Sequence, residues 1–299
     1  MAVRVLIVGC GYVGLAVGER LAEAGHQVFG LRRNEAVQGE LESCGIVPVT
    51  ADITQPVQLQ ELPGSFEWIV NTVSSSKGGV DEYRAVYLQG TRNLIEWLLQ
   101  ASIKIKKYIH TGSTSVYAQT DGQVVDEGSS TAPASETGKI LLETEGLLLG
   151  FANRESFPAV ILRAAGIYGP TRGHLFQQFL RGEAAISADG RRFINMVHRD
   201  DLAGMIVASL ERGRPGEIYN AADDAPVTEI DFFKWLSQEL HRPLPPIKSE
   251  AAQTGRKRPT TSKRVSNSKL KRELAYTLRY PTFREGYIAE ILRAGLQGK

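Results

Sequence analysis

The sequence predicts an α/β protein with a doubly wound parallel sheet and a smaller C-terminal lobe. Short apolar runs alternate with amphipathic helical segments through five predicted strands, which is typical of a parallel sheet covered by helices. A glycine-rich turn joins the first strand directly to the first helix. The chain has 299 residues, which is enough for a main domain and an additional lobe.

The first strand, helix and second strand form one βαβ unit. Val3–Val8 is almost wholly apolar and rich in β-branched residues, which indicates a buried parallel strand. Helical periodicity begins near Leu15 and ends at Ala24-Gly25, where glycine occupies a common helix-terminating position. The second strand follows as Gln27–Leu31.

The turn after the first strand reads G-x-G-x-x-G. Gly9 allows a tight turn, Gly11 lets a pyrophosphate approach the backbone, and Gly14 lets the helix pack closely on the strand. Such a motif between a predicted strand and a predicted helix is strong evidence for dinucleotide binding, and the alternative is a chance glycine-rich turn. We predict a Rossmann-type dinucleotide-binding domain and assign Gly9, Gly11, Tyr12, Val13 and Gly14 to the cofactor site.

The end of the second strand distinguishes the two nicotinamide dinucleotides. A free ribose 2′-hydroxyl is usually bound by an acidic residue about 20 residues past the glycines. That place holds Arg32-Arg33, and the first carboxylate after it is Glu35. Arginine suits a 2′-phosphate, although two solvated arginines after a strand are the alternative. We predict NADP(H), with NAD(H) less favoured.

Two later strand ends supply further cofactor residues. Asp52-Ile53 follows the third strand, where Asp52 either accepts a hydrogen bond from an adenine amino group or caps the next helix. Thr72 and Val73 follow the fourth strand and allow close approach of the cofactor. A long helix over about 81–100 then leads to the fifth strand, Lys107–Thr111.

Composition narrows the function classes. A net charge of +2 argues against a nucleic-acid partner, and no apolar run approaches the length of a membrane span. The two cysteines have neither metal-ligand nor disulfide spacing, so we expect no metal site and a reducing compartment. The first strand starts at once, leaving no room for a signal peptide. We therefore expect a cytoplasmic protein that binds small molecules.

The motifs together resemble the extended short-chain dehydrogenase/reductase family, which includes NAD(P)-dependent nucleotide-sugar epimerases and dehydratases. Besides the glycine loop, the resemblance rests on Asp52-Ile53, Gly90-Thr91, Gly112–Tyr117, Ile161–Arg163, Ile167–Pro170, Val197–Asp201 and Ser266–Leu274. It implies a cofactor domain over 1–170, with 195–225 returning to the sheet, and a substrate lobe over 171–194 and 226–299. It also implies Gly166 beside the nicotinamide and a possible homodimer through the helices near 81–100 and 137–153.

The resemblance fails at the family's catalytic tyrosine, which is followed four residues later by lysine. The matching stretch, 133–145, contains no tyrosine. Aligning the family's glycine with Gly138 puts Thr137 in the tyrosine place and Leu141 in the lysine place. Aligning the family's lysine with Lys139 instead puts Ser135 in the tyrosine place. We prefer the first alignment. Ser113 falls on the family's substrate-binding hydroxyl position, whereas Tyr87 replaces a usual asparagine.

Other residues are candidates for lesser roles. Tyr117 and His198 are each either a substitute acid or a packing residue, with packing favoured, and Glu136 reads as a solvated acid. Thr171–Phe176 and Arg191–Phe193 are expected to line the lobe, where basic side chains either hold an anionic substrate or are solvated. Arg258 or Arg264 is expected either to meet a diphosphate or to lie in an exposed loop.

Two functions from different classes remain. The leading hypothesis is an atypical, epimerase/dehydratase-like oxidoreductase acting on a small carbonyl or sugar-like compound. In it Ser113 orients the substrate oxygen, and Thr137 or Lys139 relays a proton. The rival hypothesis is a cofactor-binding sensor that kept the fold and lost the chemistry. Absence of the tyrosine favours the sensor, and retention of Ser113 favours the enzyme.

Overall fold

Fifteen strands and eleven helices are present in the part of the chain that the computed structural model describes, residues 2–34, 38–75, 78–187, 189–248 and 261–296. The strands are β1 (Arg4–Val8), β2 (Gln27–Arg32), β3 (Ile46–Thr50), β4 (Trp68–Asn71), β5 (Lys107–Ser113), β6 (Val124–Val125), β7 (Ala159–Ala164), β8 (Gly166–Tyr168), β9 (Ile186–Ser187), β10 (Phe193–Ile194), β11 (Met196–His198), β12 (Ile218–Ala221), β13 (Val227–Thr228), β14 (Ile247–Lys248) and β15 (Arg264–Val265). The helices are α1 (Tyr12–Glu23), α2 (Gln38–Ser43), α3 (Pro56–Leu59), α4 (Val80–Tyr83), α5 (Gly90–Gln100), α6 (Glu136–Glu155), α7 (His174–Leu180), α8 (Arg199–Arg212), α9 (Glu229–Glu239), α10 (Ser268–Leu274) and α11 (Phe283–Arg293).

Seven parallel strands form the central sheet in the order β12-β7-β5-β4-β1-β2-β3. The chain places β2 and β3 on one side of β1 and then crosses to place β4 and the later strands on the other side. The direction of winding therefore reverses between β1 and β4, and ligands of such sheets bind in the crevice at this point. The predicted doubly wound α/β fold is confirmed.

Helices cover both faces of the sheet because the strands are apolar on both faces. Val5 and Ile7 of β1 join one buried cluster, whereas Leu6 and Val8 join another on the opposite face. Successive side chains of a strand point to opposite faces, so the continuous apolar run is buried on both. This double burial holds β1 and its following loop in place under the crevice.

A third buried cluster is aromatic and lies outside the sheet. It contains Phe176 and Phe179 of α7, Phe232 and Phe233 of α9, and Tyr287 of α11. These helices come from the segments predicted to form the substrate lobe. Not all of 226–299 joins this cluster, because the side chains of Val265, Leu270, Leu274 and Leu278 pack into the core of the main sheet.

The long helix predicted over 81–100 is continuous but not uniform. Between α4 and α5, residues Arg84–Gln89 form a π-helical stretch, a geometry often found at functional sites. The same stretch packs beside α6, where Arg84 forms an exposed ion pair with Glu143 at 3.1 Å. A homodimer through these helices stays a prediction. Among the described residues, no helix has the length and apolar character needed to cross a lipid bilayer.

Candidate functional site

Two adjoining cavities open at the carboxyl ends of the central strands. One, about 260 Å³ in volume, reaches from the glycine loop to Ser113 and Thr137. The other runs from the same loop to Arg32, Arg33 and Asp52. Because both cavities are lined by Gly9, Gly11, Val73 and Ser74, they form one cleft across the point where the sheet reverses direction. We call the two halves the Ser113 end and the arginine end.

The glycine loop has the geometry that the motif predicts. Gly9 has φ +78°, and a Cβ on it would lie 2.7 Å from the Val73 Cα. A Cβ on Gly14 would lie 2.8 Å from the Thr72 Oγ1, which hydrogen-bonds the Gly9 carbonyl oxygen at 3.0 Å. At Gly11, by contrast, the nearest atom to such a Cβ is 3.8 Å away. The loop is thus closed beneath Gly9 and Gly14 and open above Gly11.

The open side of the loop meets the N-terminus of α1. No side chain caps this helix, whose N-cap is Gly11, and its first turn contains no acidic residue. The backbone N–H groups of the first turn, which includes Tyr12 and Val13, are therefore available to an anion at the positive end of the helix dipole. The residues present fit the pyrophosphate of a dinucleotide.

Arg32, Arg33, Asp52 and Ile53 all line the arginine end. Arg32 is partly buried and donates to the Cys10 carbonyl oxygen at 3.1 Å, so its guanidinium is held beside the glycine loop. It also forms an ion pair with Glu40 at 3.4 Å. Arg33 is exposed. These contacts place two cations where β2 ends.

Asp52 has a structural role whatever else it binds. Its Oδ1 accepts hydrogen bonds from the Thr54 backbone N–H at 2.9 Å and from the Thr54 hydroxyl at 2.8 Å. Asp52 therefore closes the turn before α3 but does not cap that helix, whose N-cap is Gln55 without a side-chain cap, so the capping interpretation is wrong. Both bonds go to Oδ1, and the residue still lines the cavity, so a contact to adenine stays a prediction.

Hydroxyl groups from two elements meet at the Ser113 end. Ser113 lies at the end of β5, and its Oγ accepts from the Ser115 N–H at 3.2 Å. Ser135 caps α6 by accepting from the Gly138 N–H at 3.1 Å. The Thr137 hydroxyl lies 3.4 Å from the Ser135 Oγ, at the limit of a hydrogen bond. Ser113, Ser135 and Thr137 line one cavity. Both candidates for the family's tyrosine place, Ser135 and Thr137, therefore face the same space.

The two candidates for the family's lysine place, Leu141 and Lys139, lie in different surroundings. Leu141 lines the cavity with Thr137. Lys139 does not line it, because its side chain is 57% exposed and pairs with Glu136 at 2.6 Å on the outer face of α6. The alignment through Gly138 expects Thr137 and Leu141 to face the cavity together, as they do, and the assignment of these two residues to the family's tyrosine and lysine places stays a prediction.

Two phenols in the same cavity were missed as candidates. Tyr83 and Tyr87 both line the Ser113 end, with ring centroids 4.8 Å apart. The Ser75 N–H donates to the Tyr87 hydroxyl at 3.4 Å. In the sequence Tyr87 was only the replacement for an asparagine, and Tyr83 had no signal. The π-helical stretch that begins after Tyr83 and contains Tyr87 cannot be read from residue spacing.

Gly166 is not among the residues that line the two cavities, and its place beside the nicotinamide stays a prediction. Its N–H donates to the Asn195 carbonyl oxygen at 3.0 Å, within the pairing of β8 with β11. Ala164, Ala165 and Ile167 line the Ser113 end instead. The small residues after β7 therefore do reach the cavity, but through other positions.

Tyr117 and His198 support the fold. The buried Tyr117 hydroxyl donates to Asn220 Oδ1 at 2.9 Å and accepts from Arg163 at 2.8 Å, and burial raises its pKa. His198 Nδ1 accepts from the Asp200 N–H at 3.1 Å, so the proton on the ring faces Glu290, 3.2 Å from Nε2. Neither ring lines the cleft, which favours the packing interpretation.

Several basic residues expected at a substrate are committed elsewhere. Arg264 donates to the Gly122 carbonyl oxygen at 2.8 Å, Arg191 pairs with Asp189, and Arg192 pairs with Glu229. Arg258 lies outside the described residues. Within the described ranges no three side chains are arranged to hold a metal ion.

Sheet, glycine loop and cleft together define an NAD(P)-binding protein of the Rossmann type. Residues 5–222 match the profile of the NAD dependent epimerase/dehydratase family. The chain therefore belongs to this family, and the resemblance inferred from the sequence is confirmed at that level.

Known relatives are distant. Protein YeeZ of Escherichia coli K12 is 27% identical over 283 residues, which cover 93% of this chain and 96% of YeeZ. The 2-alkyl-3-oxoalkanoate reductase of Shewanella oneidensis is 27% identical over 251 residues, which cover 76% of this chain and 63% of the reductase. A solved structure from Methylobacillus flagellatus, provisionally assigned as an NAD-dependent epimerase/dehydratase, is 28% identical with a TM-score of 0.76 and covers 99% of this chain and 100% of its own.

Proposed function

We propose that the protein is an NADP(H)-dependent oxidoreductase that acts on a small carbonyl or sugar-like compound. The observation that carries this proposal is the single cleft that joins the arginine pair, the glycine loop and the hydroxyls of Ser113 and Thr137. Its length and order suit a dinucleotide lying across the switch point with its reactive ring toward Ser113. The neighbouring lobe, with its own aromatic core, would close over the substrate.

The arginine end supports NADP(H). Arg32 and Arg33 line the cavity at the end of β2, and Asp52, its one acidic residue in the described part of the chain, already caps a turn. The family is described as NAD-dependent, so the proposed preference for NADP(H) rests on Arg32 and Arg33 alone. The pair of Arg32 with Glu40 is exposed and weak, and a 2′-phosphate can displace it.

At the Ser113 end, the protein's part is to bind the substrate oxygen and deliver a proton. A bound nicotinamide would supply or accept a hydride at this end. The Ser113 hydroxyl can donate to the substrate oxygen, and the Thr137 hydroxyl is linked to Ser135. An aliphatic hydroxyl is a poor proton carrier because its pKa lies far above that of a phenol. Tyr83 and Tyr87 supply phenols in the same cavity.

The direction proposed here is carbonyl reduction. When a carbonyl is reduced, its oxygen becomes an alkoxide, which takes a proton from a nearby hydroxyl or from water. The same groups would act in reverse when an alcohol is oxidised, and in the family a lysine promotes this proton transfer. Leu141 occupies the place of that lysine. The S. oneidensis relative is named as a reductase of an oxoalkanoate, which agrees with this direction.

A catalytically silent cofactor sensor is the second candidate. It is favoured by one observation, that Thr137 and Leu141 rather than tyrosine and lysine face the cavity. A sensor would bind the nucleotide with similar affinity but would not oxidise it. The retained Ser113 and the lined cavity beyond the glycine loop favour the enzyme.

The test is a titration of the purified protein with NADPH and NADH, followed by nicotinamide fluorescence. Aldehydes, ketones and nucleotide sugars are then added to the NADPH complex. Tight NADPH binding with substrate-dependent loss of fluorescence is the expected result. Binding without oxidation across the panel would support the sensor, and binding of neither nucleotide would refute both candidates.

A further inference from the structure

A short turn enters the Ser113 end from the side of the aromatic lobe. Gly169 and Arg172 exchange backbone hydrogen bonds of 3.0 and 3.4 Å, which close the turn. Thr171 has φ +62°, a conformation that costs a β-branched residue energy and persists where the surroundings enforce it. Gly173, with φ +126°, could not carry a Cβ, which would lie 2.8 Å from the Tyr287 hydroxyl. The turn is therefore held in one conformation.

The turn places the Arg172 guanidinium over the ring of Tyr12. Its Cζ lies 4.3 Å from the ring centroid, a cation–π contact on the first residue of α1. Arg199 lies near the same ring at 5.2 Å. A Cβ on Gly169 would lie 3.0 Å from the Tyr12 hydroxyl, so glycine is also needed for this approach. Arg172 is exposed, but the contact with the Tyr12 ring orients its long side chain.

Among the described residues, Arg172 differs from its neighbours in having no carboxylate paired with it. Arg199 pairs with Asp200 at 2.9 Å, and Glu290 is engaged by Arg293 at 2.6 Å and by His198. No carboxylate among the described residues pairs with Arg172. It is also the only charged side chain lining the Ser113 end in the described part of the chain.

Two hydroxyls in the same cavity lack partners as well. The Tyr12 hydroxyl and the Thr111 Oγ1 are buried, and neither has a hydrogen-bond partner among the described residues. Buried polar groups are nearly always satisfied, by protein or by something bound. Both oxygen atoms are enclosed by the protein, so the charged group that the cavity offers to a ligand is the Arg172 guanidinium.

We propose that Arg172 binds an anionic group of the substrate, a carboxylate or a phosphate, so that the substrate is an anionic carbonyl compound. Arginine matches either group with two parallel hydrogen bonds. The identification of the compound as a carbonyl rests on the proposed function, whereas the anion site rests on the turn, the stacked ring and the missing counter-charge. The competing occupant is the cofactor's own pyrophosphate, which the experiment separates.

The experiment measures the Kd of small probes by ligand-observed NMR, with the protein free and saturated with NADP+. The carboxylate probe is 2-oxobutanoate, its neutral isostere is 2,3-pentanedione, and the phosphate probe is ethyl phosphate. We expect at least one anion to bind and the neutral isostere to bind at least about 10-fold more weakly, since hydrogen bonds to charged groups contribute this much. Whichever anion binds identifies the group.

Variants assign the effect to the side chain. Arg172→Met should weaken the anion about 10-fold or more, and Arg172→Lys should recover part of the affinity. Arg181→Met is the control, because Arg181 is an exposed arginine of the same lobe that pairs with Glu183. This control variant should leave the Kd values of the anionic probes unchanged.

Three outcomes would overturn the inference. These are failure of both anions to bind the wild-type protein, equal anion binding by the Arg172→Met variant, or a loss of NADPH affinity in that variant comparable to the loss for the anion. Failure of the wild-type protein to bind NADPH would instead refute the proposed function. In that case the probes on the free protein still decide whether Arg172 forms an anion site.

Discussion

Replacing Arg32 with methionine should weaken NADPH binding while leaving NADH binding almost unchanged. A charge-assisted hydrogen bond to a phosphate contributes about 1.5–3 kcal/mol. Freeing Arg32 from its exposed pair with Glu40, at 3.4 Å, offsets about 0.2–1 kcal/mol of this. The net loss is therefore about 0.5–2.8 kcal/mol, or roughly 2- to 100-fold in Kd.

The assay is a fluorescence titration with both nucleotides on the same preparations. NADH lacks the 2′-phosphate, so its Kd should stay within about twofold of wild type. Arg191→Met is the matched control, because Arg191 is 86% exposed and pairs with Asp189 away from the cleft. Glu40→Gln should tighten NADPH by up to about fivefold, since it removes the competing carboxylate.

An equal loss for NADPH and NADH would refute the reasoning, since it would mean that Arg32 supports the glycine loop through its bond to the Cys10 carbonyl oxygen. No loss for either nucleotide would assign the phosphate to Arg33 alone. The double variant with Arg33→Met separates these cases, because a phosphate held by both arginines should show a loss larger than either single change.

Three further predictions concern catalysis, packing and pH. If carbonyl reduction is found, Thr137→Val should lower its rate at least about 10-fold. Lys139→Met should leave the rate within about twofold of wild type, because Lys139 faces solvent. An equal loss of rate in the two variants would favour the alignment through the lysine. Glu145→Gln should destabilise the protein in urea by about 3–5 kcal/mol, since it leaves Arg163 buried without its partner at 2.7 Å. Glu143→Gln, which breaks the exposed pair with Arg84, should lower the free energy of unfolding by less than about 1 kcal/mol. Similar losses for Glu145→Gln and Glu143→Gln would contradict the special role of the buried pair. Burial raises the pKa of Asp223 to about 7, so the folded state keeps this proton while the unfolded chain releases it. The contribution of Asp223 to the free energy of unfolding should therefore fall as the pH rises from about 4 to about 7. Asp223→Asn should make the free energy of unfolding, measured in urea at several pH values, fall less steeply over this range. Equal pH dependence in the variant and the wild-type protein would show that Asp223 does not titrate there.

The fold and the arginine end follow from local rules. Val3–Val8 must be a strand buried on both faces because it is apolar without alternation, and a glycine loop between strand and helix has one common use. Two clusters on opposite faces of β1 meet the first expectation, and the open space above Gly11 meets the second. These features depend on residues close together in the chain, so their spacing carries the information.

The Ser113 end depends on contacts that spacing does not encode. The choice between Thr137 and Lys139 is a choice of which helix face meets the sheet, and α6 has hydroxyl or lysine residues on both faces. Tyr83 and Tyr87 reach the cavity from a helix that changes to π geometry between them. Gly166 belongs to β8, which leaves the sheet to pair with β11. Each outcome is set by tertiary packing.

If the alignment through Gly138 is right, the charge around the cleft lies elsewhere than the resemblance to the family implies. The family lysine on α6 would stand beside the reacting group, where a cation promotes proton transfer. Here Leu141 occupies that place, and Lys139 pairs with Glu136 outside the cavity. The cation at this end is Arg172, which comes from the opposite wall and stacks on Tyr12. An arginine keeps its proton at all working pH values, so it can bind and orient an anion but cannot relay a proton. On the proposed function, charge at the Ser113 end would therefore serve recognition of the substrate, and proton delivery would depend on uncharged hydroxyls.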